Sequence, residues 1–174
     1  MRYLCLFSLC FFTVFTTTAQ NRFTQKDFNP LLRLTQEWEL VTSSEQHIFE
    51  DWTVVDDSTL QGNTYRSVSD TVSPSAALQL KLRDQHIFLE YTDLTENPDS
   101  RKTYVLTLKD ITKNEFLFEN NKSEEQRRTE NAGKKIPFAQ RYEFSAKKGI
   151  IASFQWLDVR GMKTIRYMFR KAKA

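Results

Sequence analysis

Four charged side chains fall on otherwise apolar faces of extended segments: Glu50, Arg66, Arg141 and Arg166. Successive side chains of a strand alternate between its two faces, so Glu50 shares a face with Ile48, Trp52 and Val54. A barrel interior that takes a ligand is mostly apolar with a few placed polar groups. An arginine in such a place holds a carboxylate by two parallel hydrogen bonds. Arg66 and Arg141 are therefore candidate head-group anchors, and Glu50 is a further polar contact. Trp52, Tyr104 and Trp156 are candidates to line the ligand's tail. A second reading stands beside this one, because buried charges normally survive only when paired. In it Glu50 and Arg66 pair across one hairpin, and Arg141 points to water with Glu143. Alternation alone leaves open which face is inside.

Other chemistry finds little support. His47 and His86 are isolated in the sequence, and a metal site needs three or four convergent ligands, so no metal is expected. There is no nucleophile elbow, zinc-protease helix, phosphate loop or dinucleotide fingerprint. No catalytic residue and no cofactor is assigned, and the chain reads as non-enzymatic. An isomerase or hydrolase built on the same scaffold is the third-ranked reading.

The elements that must position these residues are mostly strands. Residues 1–19 have the layout of an export signal: a basic start, an apolar run from Leu4 to Phe15, and Thr17-Thr18-Ala19 for cleavage before Gln20. The run is shorter than the roughly 20 residues of a membrane-spanning helix, so no integral membrane segment is expected after cleavage. The expected location is periplasmic or secreted. Both cysteines, Cys5 and Cys10, lie in the signal, which leaves the mature chain without disulfides or a thiol nucleophile.

Residues 20–174 read as one domain. Asn29 caps a short helix with Pro30 at its first position, placed to plug one end of a barrel. Alternating segments follow at 37–41, 48–55, 60–68, 78–83, 87–91, 103–108, 115–119, 138–145, 150–159 and 162–170, with Ser69 to Pro74 as a turn. Short strands at this spacing predict an all-β antiparallel up-and-down barrel of about 8–10 strands. Gly62, in mid-strand, marks a bulge, a sharp bend or a close approach by another backbone. A polar insertion at about 121–136 interrupts the rhythm, with Ser123 to Gln126 resembling a capping box. From Lys147 onward eight basic residues face one acid, Asp158. That charge reads as a solvated edge, and no nucleic-acid partner is expected.

Several short motifs resemble those of exported bacterial lipocalin-like domains of unknown function. They are Leu34-Thr35-Gln36-Glu37-Trp38, Glu50-Asp51-Trp52, Leu60-Gln61-Gly62, Phe118-Glu119-Asn120, Phe138-Ala139-Gln140-Arg141 and the closing Phe169-Arg170. The chain differs in having Gln36 where those domains have glycine, Ala139 where they have proline, and the insertion between elements usually adjacent. The resemblance implies a lipocalin-like barrel in which Trp38 of the first strand packs near Arg170 of the last. It also implies a small apolar or amphipathic ligand in the interior. The alternative is a filled-core barrel that acts through its surface as a protein-binding inhibitor or accessory envelope subunit.

Overall fold

In the computed structural model the alternating segments close on themselves. The structure describes residues 22–41, 47–68, 71–122, 125–126, 136–145, 149–158 and 161–172. The export signal and most of the polar insertion, with its capping-box reading, lie outside these residues. Ten antiparallel strands are formed: β1 (Glu37–Leu40), β2 (His47–Asp56), β3 (Thr59–Val68), β4 (Thr71–Arg83), β5 (His86–Asp93), β6 (Thr103–Ile111), β7 (Glu115–Glu119), β8 (Ile136–Ser145), β9 (Gly149–Asp158) and β10 (Gly161–Lys171). Each pairs with its sequence neighbour, and β1 pairs with β10 to close the barrel. The all-β up-and-down architecture expected from the spacing is the one observed.

The turns behave as their residues dictate. Asp56 Oδ1 accepts from the Ser58 amide at 2.8 Å and its hydroxyl at 2.9 Å, bonds that hold the Asp56 carboxyl below its usual range. Asp84 and Gln85 both take positive φ (51° and 61°), as a two-residue hairpin turn requires. The expected turn from Ser69 to Pro74 is shorter than its composition suggested: β4 starts at Thr71 and contains Pro74 opposite Tyr65. A register shift beside Tyr65 accommodates the proline there.

The N-terminal plug also starts earlier than expected. Helix α1 (Gln25–Phe28) begins at Thr24, whose amide and hydroxyl both donate to Asp27 Oδ2 at 2.8 Å. A 3-10 helix, Asn29–Leu34, continues it, so Asn29 and Pro30 lie inside the helical segment and do not begin it. The Phe23 amide donates to Gln85 O, and Arg33 donates to Lys113 O, tying the plug to the turns at one end. Phe28, Leu31 and Leu34 are fully buried there. With them pack Leu60, Leu80, Ile87, Leu89, Leu106, Leu108, Phe116 and Phe118, all essentially without exposure. The half of the barrel nearest the plug is thus solid.

Trp52 shows how tightly. Its indole lies over Gly62, the residue opposite it on β3, and a Cβ at Gly62 would stand 2.7 Å from the ring. The mid-strand glycine therefore serves the close approach of a side chain. Gly62→Ala is expected to lower stability by about 1–3 kcal/mol through overpacking. Urea unfolding checks this, and an unchanged midpoint would mean the indole relocates freely.

The opposite end, the mouth, is built differently, because β1 and β7 are short. β1 pairs with β10 at Trp38–Leu40, with the Val41 amide donating to Met168 O and the Ala172 amide to Glu37 O, and among the described residues Met162–Tyr167 of β10 pair with β9 alone. β7 ends at Glu119, after which the Asn120 backbone amide donates to Phe138 O at 2.9 Å and the Asn121 side-chain Nδ2 to Thr107 Oγ1 at 3.0 Å.

Candidate functional site: a polar chain across the barrel floor

Glu50 and Trp52 point inward from β2, where Glu50 lies opposite Trp38 of β1 and Thr64 of β3. Glu50 is 4% exposed. Trp52 Nε1 donates to Glu50 Oε1 at 2.7 Å. The Tyr142 hydroxyl, reaching from β8 on the far wall, donates to the same oxygen at 3.4 Å. Gln140 Nε2 in turn donates to the Tyr142 oxygen at 2.6 Å. A chain of hydrogen bonds thus crosses the lumen from β8 to β2, between side chains that are all nearly inaccessible.

The electrostatics follow from that burial. No cation pairs with Glu50 among the described residues, and removal from water disfavours its charged form. Desolvation pushes the carboxyl up to about 7, against the pull of the bonds from Trp52 and Tyr142. The same burial, with Glu50 beside it, pushes the Tyr142 phenol well above its usual range. Both bonds to Glu50 end on Oε1, and Oε2 accepts none among the described residues.

Mouthward of this floor stand aromatic rings that are only half-buried. Tyr91 and Tyr104, paired on β5 and β6, have centroids 6.4 Å apart. Phe154 of β9 and Tyr167 of β10 meet edge to face at 6.0 Å. Burial pushes the Tyr91 phenol up to about 12, and Asp93, Tyr104 and Tyr167 add to the shift. Ile48 and Thr64 complete the wall beside Glu50. Trp156 falls on the inward side of β9 with Phe154 and Ala152, nearer the mouth.

The sequence-derived candidates separate accordingly. Glu50, Trp52, Tyr104 and Trp156 all fall on the lumen side. Arg66 is exposed at the mouth-end rim, opposite Ile48 and not Glu50, so the expected Glu50–Arg66 pair does not form. Arg141 lies on the outer face and pairs with Glu115 at 3.1 Å, rather than with Glu143. Glu143 instead accepts from Arg166 at 3.2 Å. Arg66, partner of Ile48, thus stands on the lumen-side face at the mouth, and Glu50 at the floor has no arginine paired with it among the described residues. The expected Trp38–Arg170 contact is likewise absent: Arg170 sits opposite Glu39 and pairs with it at 3.1 Å on the outside, while Trp38 Nε1 donates inward to Leu34 O at 2.9 Å. The register sets this, since Trp38 is opposite Lys171.

Tyr142, Gln140, Tyr91, Phe154 and Tyr167 escaped the sequence reading. A signal for two of them was present, since Arg141 and Glu143 alternate with Gln140, Tyr142 and Phe144. Two charges on one face place the other face inside. At the plug end a shallow groove of about 340 Å³ is lined by Arg33, Gln36, Trp38, Asn114, Phe144, Ser145 and Gly149. It opens outside the barrel wall, with Arg33 stacked 4.1 Å over Phe144. Among the described residues no cluster of three or more His, Cys, Asp or Glu forms a metal site, and no helix is long and apolar enough to cross a membrane. In comparisons with known proteins, no family model, no curated protein and no solved structure matches this chain.

Proposed function

We propose that the protein is an exported, lipocalin-like, non-enzymatic carrier that holds a small apolar or amphipathic molecule in the mouth half of the barrel. One observation carries this reading: the plug half is filled by its own side chains, whereas the inward rings of Tyr91, Tyr104, Phe154 and Tyr167 are left half-covered. Apolar surface facing a lumen gains by covering, at roughly 25 cal/mol per Å² removed from water. Small-molecule sites have this character, an apolar wall with few polar groups. Glu50, Tyr142 and Gln140 supply those groups at the floor.

The test is native mass spectrometry of the protein purified from the envelope or medium of its own cells. The expected species starts at Gln20 and carries a small-molecule adduct of one-to-one stoichiometry that organic solvent removes. Repeated recovery of bare protein would overturn the carrier reading, and a mass that includes residues 1–19 would overturn export with cleavage. A second reading, action through the surface on a protein partner, draws on the exposed apolar side chains of Met162 and Met168 on the outer face of β10. A stable protein complex recovered without any small-molecule adduct would favour it.

A further inference from the structure

If the mouth half takes a ligand, as proposed above, the groups lining it restrict what that ligand's polar end can be. We propose that the barrel selects an organic ammonium, an amine carried on an apolar or aromatic body, with Glu50 as the group that receives it. Two independent features of the lumen converge on this class.

The first is the carboxyl itself. Glu50 is buried, has no cationic partner among the described residues, and both of its hydrogen bonds end on Oε1. Oε2 is left to accept a bond from an incoming donor, and a charge-assisted bond to an ammonium is the strong form of that contact. A carboxylate ligand would instead meet a like charge at the floor, because Arg141 and Arg166 are paired on the outer face and Arg66, although on the lumen-side face opposite Ile48, is exposed at the rim and unpaired with Glu50.

The second is the wall. Tyr91 and Tyr104 on β5 and β6, and Phe154 and Tyr167 on β9 and β10, present two pairs of rings to the lumen. Ring faces attract cations, and several converging rings form the kind of cage that takes alkylammonium groups. The Tyr91 phenol is held neutral to about pH 12, so this wall adds no charge of its own at ordinary pH. The groups facing Glu50 are Trp38 from β1, Thr64 from β3, Tyr142 from β8 and Trp52 on its own strand, with Asp51 the neighbouring charge. The nearest cation on the same face is Arg66, one step mouthward and opposite Ile48; it keeps its charge throughout this range, so the carboxyl's own ionisation sets the pH response. An amine should bind more tightly as the pH rises from 5 to 8, while it stays protonated and Glu50 ionises.

The experiment is isothermal titration of the mature chain, residues 20–174, with 1-aminooctane, 1-octanol and octanoate at pH 8, repeated with Glu50→Gln. The amine is expected to bind about tenfold more tightly than the alcohol, and the acid most weakly. Glu50→Gln should erase the amine's advantage while leaving the alcohol's affinity within about twofold. Wild-type affinity for the amine should also fall on moving to pH 5. Equal affinities, a preference for the acid, or an amine preference that survives in Glu50→Gln would overturn this inference and leave the carrier reading standing. Failure of all three compounds to bind would overturn both.

Discussion

Glu50→Gln should make the protein more stable at pH 8, by about 3 kcal/mol, and leave it unchanged near pH 4. The carboxyl stands at about 7 in the folded barrel, against an ordinary value of 4.5. Each unit of difference corresponds to about 1.4 kcal/mol. The sign follows from proton counting. Between pH 4.5 and 7 the folded protein keeps a proton on Glu50 that the unfolded chain has released, so stability falls as pH rises through that window. Above about 7 the loss is complete. Glutamine keeps an oxygen to accept from Trp52 and Tyr142 and carries no charge to desolvate. For a domain of this size 3 kcal/mol corresponds to about 6–12 °C in Tm. Thermal melts of both proteins from pH 4 to pH 8 make the comparison. The difference between them isolates Glu50 from Glu39, Asp27 and Asp56, whose carboxyls are all held below their usual range and stabilise in the opposite sense. Parallel curves for the two proteins would mean that Glu50 is charged and solvated in the fold.

Trp52→Ala should cost more than any loss on the outer face, about 3–5 kcal/mol, the usual range for a buried tryptophan truncation. Trp52 is 2% exposed, packs on Gly62, and supplies the shorter of the two bonds to Glu50. Its removal opens a cavity and also takes a donor from an already isolated carboxyl. Part of the cost should therefore depend on pH: Trp52→Ala is expected to lose more stability at pH 8 than at pH 4, since only the ionised carboxylate misses the donor strongly. Urea unfolding at both pH values measures this. By contrast Arg166 and Glu143 form an exposed pair, 59% and 33% accessible, of a kind contributing about 0–1 kcal/mol.

Much of the architecture was legible because its signals are local. Leu78, Leu80 and Leu82 alternate with Gln79, Lys81 and Arg83, and that pattern alone gave a half-buried strand, which is β4. The start of the same strand was misread, since a proline among serines is ordinary turn chemistry and only the register shift at Tyr65 shows how the strand tolerates it. Asn29 and Pro30 signal the plug, but its true start lies upstream, because the Thr24–Asp27 pairing precedes any apolar stripe.

The site was half legible for a physical reason. Alternation says that Glu50 and Trp52 share a face, and the mixed apolar and polar content of that face leaves inside and outside undetermined. Arg141 looked equivalent to Glu50 on this criterion, and only the closed sheet reveals that it pairs with Glu115 outside. Tyr142 meets Glu50 across 92 residues of sequence. A contact across a lumen depends on barrel closure and on the stagger between strands, which no single segment encodes. The same holds for Trp38 and Arg170, whose positions in paired strands differ by one residue and so place them on opposite faces.

The most direct measurement is a carbon-13 NMR titration of the Glu50 side-chain carboxyl, assigned by its disappearance in Glu50→Gln. A carboxyl buried beside the Trp52 indole and the Tyr142 phenol, with no cation paired to it among the described residues, should titrate near 7. A midpoint at or below 4.5 would place Glu50 in water or beside an unseen cation, and would contradict the polar floor on which the rest depends.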